Sequence, residues 1–302
     1  MKYGMVHLLN FIKKMKNNYL SVLKNAKEGS ITYYVGDNFE HIKHLKNCTL
    51  ICKQYFEGLD NVAQNLTLDP QLEFYKLSAQ YKEDYLDNDN LIFDPKSKAY
   101  IHKEAQIGKN VKIGAGSVIG KCIIGDNTEI HSNTTIYAKT QIGNDCIVES
   151  NTTLGCTGAM WVWDKNERVY LEQLGNLIIE DKVRIGSQCE IVRGSANEST
   201  IIKKGTIISH GSLIGHGNIV GEYVHMANGV KLGGGCTISA RNFLGSGAVV
   251  SAGVCLLAED IVLGAGAVAT KNLTESGIYI GIPAVKIKEV GGKMAGIPKW
   301  NK

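Results

Sequence analysis

Proline is scarce in this sequence, and long apolar runs are missing. The 302 residues include only 4 Pro against 34 Gly. Few prolines exclude a Pro-rich linker, whereas many glycines suit a chain with many tight corners. No apolar run approaches the roughly 20 residues that cross a bilayer, so we predict no transmembrane segment. The apolar stretch 5–12 is short and contains His7 and Asn10, so we predict no signal peptide either.

A large charge of one sign and paired cysteines are also lacking. The formal net charge is only +4, and no dense Lys/Arg patch is interleaved with aromatic residues. The sequence therefore predicts no nucleic-acid partner. The 8 cysteines include no CxxC pair, which argues against a zinc site or a disulfide framework. We interpret them as buried, reduced thiols of a cytoplasmic protein, and we predict no metal requirement.

The dominant pattern is a sixfold repeat of aliphatic or Met side chains. A helix would place apolar residues every three to four positions and a strand every two, so neither explains a period of six. A short fixed period is typical of a solenoid, whose repeats bury their apolar faces against one another. Three hexads would form one triangular coil, with one inward side chain per side. The longest uninterrupted run comprises Ile202, Ile208, Ile214, Val220, Met226, Leu232, Ile238, Leu244 and Val250.

The same period organises the chain from about Tyr100 onward, with a slip of one residue between Ile119 and Ile124. This hexad pattern resembles the hexapeptide-repeat acyltransferases. The resemblance implies a mostly β fold, a left-handed parallel β-helix. The predicted parts are an N-terminal helix plus a small α/β uridine-binding-like domain (1–95), a β-helix domain (96–290, with an insertion at 155–178) and a C-terminal tail (291–302).

Before the solenoid, the sequence predicts helices followed by α/β structure. Apolar residues at helical spacing beside lysines indicate one or two short helices over 1–28. A further short helix is predicted over 39–45, and Asp69 and Pro70 mark the start of another that runs through Leu77. Segments rich in β-formers predict strands at 31–35, 50–52 and 66–68.

The block Gly-Ser-Ile-Thr-Tyr-Tyr at 29–34, with the turn after it, resembles the N-terminal uridine-binding domain of UDP-3-O-acylglucosamine N-acyltransferases. In that family, residues near this turn sandwich and hydrogen-bond the uracil ring. Uracil needs an aromatic face and an amide that matches its polar edge. The resemblance therefore implies that Asn38 and Phe39 contact the uracil, with Tyr34 behind them. The alternative is that these residues only shape a turn.

The insertion at 155–178 interrupts the period. Loops longer than about fifteen residues inside a compact domain are usually functional or disordered, and two tryptophans argue against disorder. We interpret the insertion as an arm that reaches over a neighbouring subunit or the acceptor pocket, with Trp161 and Trp163 as substrate contacts. The alternative is a structural hairpin that only buries its Trp residues.

Three histidines, His210, His216 and His225, lie in the long repeat run. Acyl transfer from a thioester needs a base for the attacking amine or hydroxyl, and histidine suits this role at neutral pH. His216 follows the inward Ile214 by two positions, so its ring should point out of the coil. The region resembles acetyl-CoA-dependent nucleotide-sugar N-acetyltransferases of the sialic-acid O-acetyltransferase and bacillosamine type. That resemblance implies that His216 is the base and that His225, nine residues later, contacts the acyl donor.

The stretch 263–284 resembles the C-terminal coil and exit strand of the CoA-using members of this group. Those members often have an acidic residue directly after the base, whereas this chain has Gly217. Either another carboxylate, Glu222 or one of a neighbouring subunit, orients the ring, or the base works without one. The resemblance implies donor contacts from Gly234, His225, Ala265, Gly266, Lys271, Ile282 and Pro283.

The expectation from sequence is a cytoplasmic, homotrimeric acetyl-CoA-dependent N-acetyltransferase. Its acceptor would be a nucleotide-linked amino sugar, UDP-linked by resemblance, for a cell-surface glycan. One alternative is a UDP-3-O-acylglucosamine N-acyltransferase of lipid A biosynthesis that uses an acyl carrier protein as donor. Another is a non-catalytic structural solenoid, which would need no histidine at position 216.

Overall fold

The computed structural model describes residues 19–252, 254 and 256–290. These residues form two compact units. The α/β unit comprises residues 19–83, 159–174 and 195–198, and the solenoid unit comprises the remaining described residues. The middle of the insertion thus belongs to the same unit as the N-terminal segment.

The α/β unit contains one sheet of four parallel strands in chain order. Ile31, Leu50 and Ile51 are fully buried in it, as expected for a parallel sheet covered on both faces. The predicted helix over 1–28 is wrong from Tyr19 onward, because this segment pairs with the next strand, and its earlier part lies outside the described residues. The strands are Tyr19–Leu20, Ser30–Tyr33, Thr49–Cys52 and Ala63–Leu66, with 3₁₀ turns at Leu23–Asn25, Phe39–His41 and Ala79–Tyr81.

One α-helix, Pro70–Ser78, packs against this sheet. The side chain of Asp69 accepts a hydrogen bond from the Leu72 N–H at 3.0 Å, which confirms the predicted N-cap. The strand predicted at 66–68 lies three residues earlier in the structure. Leu68 is 96% exposed, so apolar character alone misplaced this strand.

The insertion contains an antiparallel hairpin of strands Trp161–Asp164 and Glu167–Tyr170, joined by a two-residue loop. Val162 and Val169 pack on the apolar cluster that includes Phe74 of the helix. The hairpin therefore completes the core of the α/β unit.

The solenoid unit is a three-sided coil of short strands that pair in parallel, except for an antiparallel terminal strand on sides A and C, Leu91–Asp94 and Val285–Lys288. We name the sides A, B and C in the order in which the chain visits them, and each corner by the two sides it joins. Side A comprises Leu91–Asp94, Ala99–His102, Val118–Ile119, Thr135–Ile136, Thr153–Cys156, Glu190–Val192, Leu213–Ile214, Lys231–Leu232, Val249–Val250 and Val268–Ala269. Side B comprises Gln106–Ile107, Ile123–Ile124, Thr140–Ile142, Asn176–Ile179, Ser199–Ile202, Ile219–Val220, Thr237–Ile238 and Leu256–Leu257. Side C comprises Lys112–Ile113, Glu129–Ile130, Ile147–Val148, Arg184–Ile185, Ile207–Ile208, His225–Met226, Phe243–Leu244, Ile261–Leu263, Gly277–Ile280 and Val285–Lys288. A 3₁₀ turn at Asn88–Asn90 precedes the first coil.

The sixfold residues form the core of this unit. The predicted inward side chains from Ile202 to Val250 are at most 1% exposed. Earlier in the chain, the sixfold residue Ile107 is 38% exposed. Its strand lies at the edge of side B and pairs with a neighbouring strand on one flank only. The slip between Ile119 and Ile124 is one shortened A–B corner.

A buried arginine closes the base of the insertion at the A–B corner. Arg193 is fully buried, and its guanidinium donates to the carbonyl oxygens of Gly155 and Ala138 at 2.8 and 2.9 Å. Its guanidinium carbon lies 3.5 Å from the ring centroid of Tyr85. These contacts hold the two ends of the inserted segment where the regular coil is interrupted. No helix among the described residues is long and apolar enough to cross a membrane.

Candidate active site

His216 lies at the A–B corner of the solenoid, between the strands Leu213–Ile214 and Ile219–Val220. The His216 side chain is half-buried, and the buried side chain of Asn218 stabilises the backbone of the same corner. The Asn218 amide donates to the carbonyl oxygens of Gly215 at 2.7 Å and Gly233 at 2.9 Å, and its oxygen accepts from the Cys236 N–H at 2.8 Å. The backbone that carries His216 is therefore tied to the next coil.

The His216 ring packs directly over Gly234, which occupies the same corner one coil later. A Cβ at Gly234 would lie only 2.3 Å from Nε2 of His216 and 2.7 Å from its Cδ2. Two coils beyond His216, this corner carries Ala252, and three coils beyond it carries Lys271, which is exposed. Gly234 and Lys271, two of the predicted donor contacts, thus share a corner with the predicted base.

His225 lies on a different side of the solenoid. It opens the side C strand His225–Met226, in register with Ile207 and Phe243. Its ring contacts the Phe243 ring edge to face, with centroids 5.1 Å apart. Burial lowers the pKa of His225 below its ordinary value, so the neutral ring is favoured. All of side B and the B–C corner separate it from His216, so one chain does not bring the two histidines together.

The remaining predicted donor contacts lie at the C–A corner. Ala265 and Gly266 are exposed there. Ile282, which is 75% exposed, and Pro283 lie in the turn between the strands Gly277–Ile280 and Val285–Lys288. This turn is bonded to side A, because the Val268 N–H donates to the Gly281 carbonyl oxygen at 3.0 Å. The predicted donor contacts are therefore divided among the A–B corner, the C–A corner with its adjacent turn, and side C, which carries His225.

Glu222, the candidate carboxylate for His216 within this chain, lies at a different corner. Glu222 belongs to the B–C corner, and the strand Ile219–Val220 separates it from the corner of His216. Gly217 itself adopts a left-handed conformation (φ 64°), and its N–H donates to the Thr200 hydroxyl at 2.9 Å. Position 217 thus serves the backbone turn, for which glycine is suited.

In the α/β unit, the turn after strand Ser30–Tyr33 lies at the carboxyl edge of the parallel sheet. Asn38 is exposed, and its side-chain oxygen accepts from the Glu40 N–H at 3.0 Å, which caps a 3₁₀ turn. Phe39 is half-buried. Tyr34 is buried, and its hydroxyl lies 3.1 Å from the Asn38 carbonyl oxygen and 3.0 Å from Nδ1 of His41. Its ring packs within the core, so Tyr34 supports the turn and does not present a face to a ligand.

The same edge also carries a set of exposed apolar side chains that were not predicted from the sequence. Val35, Tyr55 and Leu68, which follow three adjacent strands, are 51%, 66% and 96% exposed. Carboxyl ends of parallel strands are the usual ligand position in open α/β sheets. Tyr55 has the exposed aromatic ring that Tyr34 lacks. Its position shortly after a parallel strand could have identified it from the sequence.

The two insertion tryptophans lie on the outward face of the hairpin. Trp161 and Trp163 are 39% and 53% exposed, and their rings meet at 5.2 Å in an edge-to-face arrangement. The guanidinium of Arg168 lies over both rings, at 4.6 and 5.4 Å from their centroids. The hairpin is structural, as the alternative held, but the valines on its opposite face fill the core and both tryptophans stay partly exposed.

Metal and thiol chemistry find no support among the described residues. No group of three or more His, Cys, Asp or Glu side chains that could hold a metal occurs in the part of the chain that the structure describes. The seven cysteines in the described part of the chain are buried and form no disulfide. Burial raises the pKa of Cys122 and of Cys156 to about 12, so neither provides a thiolate nucleophile at neutral pH.

Known proteins resemble this chain in sequence and in fold. A model of the bacterial transferase hexapeptide (six repeats) family matches residues 121–156. The UDP-3-O-acylglucosamine N-acyltransferase of Polynucleobacter asymbioticus is 34% identical over 131 residues, which are 38% of this chain and 36% of that protein. The protein of the same name from Coxiella burnetii is 25% identical over 207 residues, 62% of this chain and 59% of that protein. The chain thus spans less than two thirds of the length of either relative.

The solved structure of UDP-N-acetylglucosamine O-acyltransferase from Moraxella catarrhalis superposes on 64% of this chain and 73% of its own, with a TM-score of 0.55 and 21% identity. At this identity the likeness establishes the fold. The solenoid unit is a left-handed parallel β-helix of hexapeptide repeats, as predicted, and the chain resembles UDP-3-O-acylglucosamine N-acyltransferases.

Proposed function

We propose that this protein is an acyltransferase that moves an acyl group from a thioester donor to the amino group of a UDP-linked amino sugar. The observation that carries the proposal is His216, a half-exposed imidazole fixed at a corner of a hexapeptide-repeat solenoid. The similarity to proteins named UDP-3-O-acylglucosamine N-acyltransferase supports the acceptor class.

In the proposed reaction, the amine nitrogen attacks the thioester carbonyl carbon, and a C–N bond forms. His216 accepts the amine proton through Nε2. The C–S bond breaks as the tetrahedral intermediate collapses, and His216 returns the proton to the departing thiolate. The backbone N–H of Gly234, beside the ring, is the candidate donor to the oxyanion. In this reaction the chain supplies a base and a backbone dipole.

The acyl donor has two candidates. The names of the relatives favour the second expectation from sequence, in which a UDP-3-O-acylated glucosamine receives an acyl chain from an acyl carrier protein. Acetyl-CoA, the first expectation, rests on the stretch 263–284. Of the predicted donor contacts in that stretch, only Lys271 lies at the corner of His216, and Ala265 and Gly266 lie at the C–A corner. We therefore place the acyl-carrier donor first and acetyl-CoA second.

The acceptor would bind through its nucleotide at the carboxyl edge of the α/β sheet. Asn38 keeps an exposed amide there, Phe39 a partly exposed ring and Tyr55 an exposed one. Aromatic faces and an amide satisfy the stacking and hydrogen-bonding needs of uracil. We assign Trp161 and Trp163 to acceptor contact as well, since their rings face outward from the same unit. The reduced, buried cysteines support a cytoplasmic location.

Turnover assays with purified protein test the function. Hydroxyacyl-acyl carrier protein and acetyl-CoA are each offered with UDP-3-O-acylglucosamine and with a panel of UDP- and dTDP-amino sugars. Release of thiol and appearance of an amide by mass spectrometry are measured. Turnover with the acyl carrier protein alone supports the first donor, and turnover with acetyl-CoA alone supports the second. If no donor–acceptor pair supports turnover, a structural solenoid is favoured, which needs no histidine at position 216.

A further inference from the structure

Gly234 lies directly against the ring of His216, so an added side chain there would collide with that ring. The three atoms nearest to a Cβ at Gly234 all belong to His216: Nε2 at 2.3 Å, Cδ2 at 2.7 Å and Cε1 at 2.8 Å. At Gly215 and Gly233, by contrast, a Cβ would meet the backbone of the following coil, at 2.9 and 2.3 Å from its nearest atom. Those two glycines serve the packing of coil on coil, whereas Gly234 makes room for the imidazole.

The backbone at position 234 does not itself require glycine. Gly235 has a left-handed conformation (φ 76°), but the φ of Gly234 lies outside that region. The register of side A places Ala252 at the same corner position one coil later, and Ala138 holds it in an earlier coil. A methyl group is therefore compatible with this corner. The ring of His216 is the feature that explains the missing side chain.

We propose that Gly234 is a positioning residue: its bare Cα is the seat that sets where Nε2 of His216 lies. The proposal rests on the function above, in which His216 is the base. A methyl group would have to stand at least 3.4 Å from Nε2 for ordinary contact, so the ring would move by about 1 Å. A misplacement of that size at a reacting group can lower the rate about a hundredfold. The ring is the far end of a flexible side chain, whereas backbone hydrogen bonds such as Gly235 N–H to the His216 carbonyl hold the coil, so we expect the ring to move and the coil to stay.

This assignment differs from the donor contact expected from sequence for the same residue. A donor contact would act on binding, so Gly234→Ala would raise the KM for the acyl donor. A seat for the base acts on the chemical step, so Gly234→Ala would lower kcat and leave both KM values unchanged. The two roles thus predict different kinetic effects for one substitution.

The test uses Gly234→Ala, His216→Ala and the double variant in the full chain. We expect Gly234→Ala to lower kcat roughly 10- to 100-fold, with KM values within about twofold of wild type. The double variant should be no slower than His216→Ala, because Gly234→Ala acts by displacing the His216 ring and the double variant has no such ring. Ala252→Gly, which removes a methyl from the same corner one coil on, is the control and should change kcat by less than about twofold.

A second readout does not depend on activity. The Hα protons of Gly234 lie against an aromatic ring in the wild type, so their NMR shifts should move when His216 becomes Ala. Gly234→Ala should in turn shift the ring protons of His216, while the melting temperature stays within roughly 2 °C. Unmoved ring signals, an unchanged kcat, or a raised donor KM with normal kcat would each overturn the proposal. If the wild type transfers no acyl group at all, the proposed function fails, and the NMR contact still shows whether Gly234 seats the ring.

Discussion

At the scale of single residues, His216 and Ile214 are two positions apart and should behave in opposite ways. His216 is half-buried at a corner, so truncating it opens no core cavity. We predict that His216→Ala lowers kcat by about 10²- to 10⁴-fold, the usual contribution of a positioned general base, with little change in thermal stability. Ile214 is fully buried between the rungs Ile191 and Leu232. Ile214→Ala should instead cost about 2–5 kcal/mol of unfolding free energy, measured by denaturant titration.

His210→Ala is the matched histidine control for this pair. His210 is exposed at the C–A corner, and its Nδ1 accepts a hydrogen bond from the Ser187 N–H at 2.9 Å. That contact caps a turn of the preceding coil, so the variant should keep kcat near the wild-type value. A dead His210→Ala enzyme beside an active His216→Ala enzyme would move the base assignment to the other corner.

His225 gives the fold a predictable response to pH. Burial lowers its folded-state pKa, whereas in the unfolded chain its pKa is about 6.5. Below about pH 6.5 the unfolded chain therefore binds more protons at this site than the folded one, and stability falls as the pH drops toward the folded-state pKa. Melting temperatures from pH 8 to 5 should fall less steeply for His225→Gln than for the wild type. Parallel curves would contradict this.

Residue types were easier to predict from sequence than side-chain directions. Six-residue spacing identified the inward rungs, because a fixed period leaves a single register for each coil. The direction of Tyr34 was not predictable because it follows the strand Ser30–Tyr33, where alternation no longer fixes it; its ring is buried and its hydroxyl lies 3.0 Å from Nδ1 of His41. Gly234 was assigned to the donor by resemblance, and only the packing of coil on coil reveals the ring above it.

At the scale of elements, the inserted hairpin shows what a broken period can and cannot reveal. The break located the insertion, since the repeat stops after strand Thr153–Cys156 and resumes at Asn176–Ile179. It could not reveal that residues 159–174 complete the core of the α/β unit, because this depends on contacts distant in sequence. Leu171, for example, is 7% exposed in the same cluster as Phe74.

Replacing residues 159–174 by a short Gly/Ser linker should destabilise the α/β unit. The change uncovers apolar side chains of the helix Pro70–Ser78 that now pack on Leu171 and the hairpin valines. We predict that calorimetry shows the transition of this unit at lower temperature, with the solenoid transition nearly unchanged. The control is the pair Trp161→Ala and Trp163→Ala, whose exposed rings lie outside that core. A deletion that leaves both transitions in place would show that the hairpin does not support the unit.

At the scale of the whole molecule, the solenoid unit has an outward apolar stripe on side B. Ile178, Ile201 and Ile219 occupy adjacent strands in direct register, and each is only partly buried. Their inward neighbours fill the core, so these three side chains contribute nothing to it. A contiguous row of outward isoleucines suits contact with another copy of the chain. A closed cyclic assembly is the usual way to cover such a flank, which agrees with the homotrimer expected from sequence.

Ile201→Lys tests this assembly at the centre of the stripe. The substitution would place an ammonium group in the middle of an apolar contact, where leaving a charge unpaired is costly. We predict that the wild type is a trimer by light scattering at micromolar concentration, that the variant is a monomer, and that both retain the β-rich circular dichroism of the solenoid. Leu213→Lys, on side A with a side chain 40% exposed, is the matched control and should remain trimeric. A wild-type monomer would refute the trimer itself, whereas a trimeric Ile201→Lys variant would move the contact to another side. If the monomeric variant also loses turnover while its His216 signals stay unchanged, the site requires a second copy of the chain.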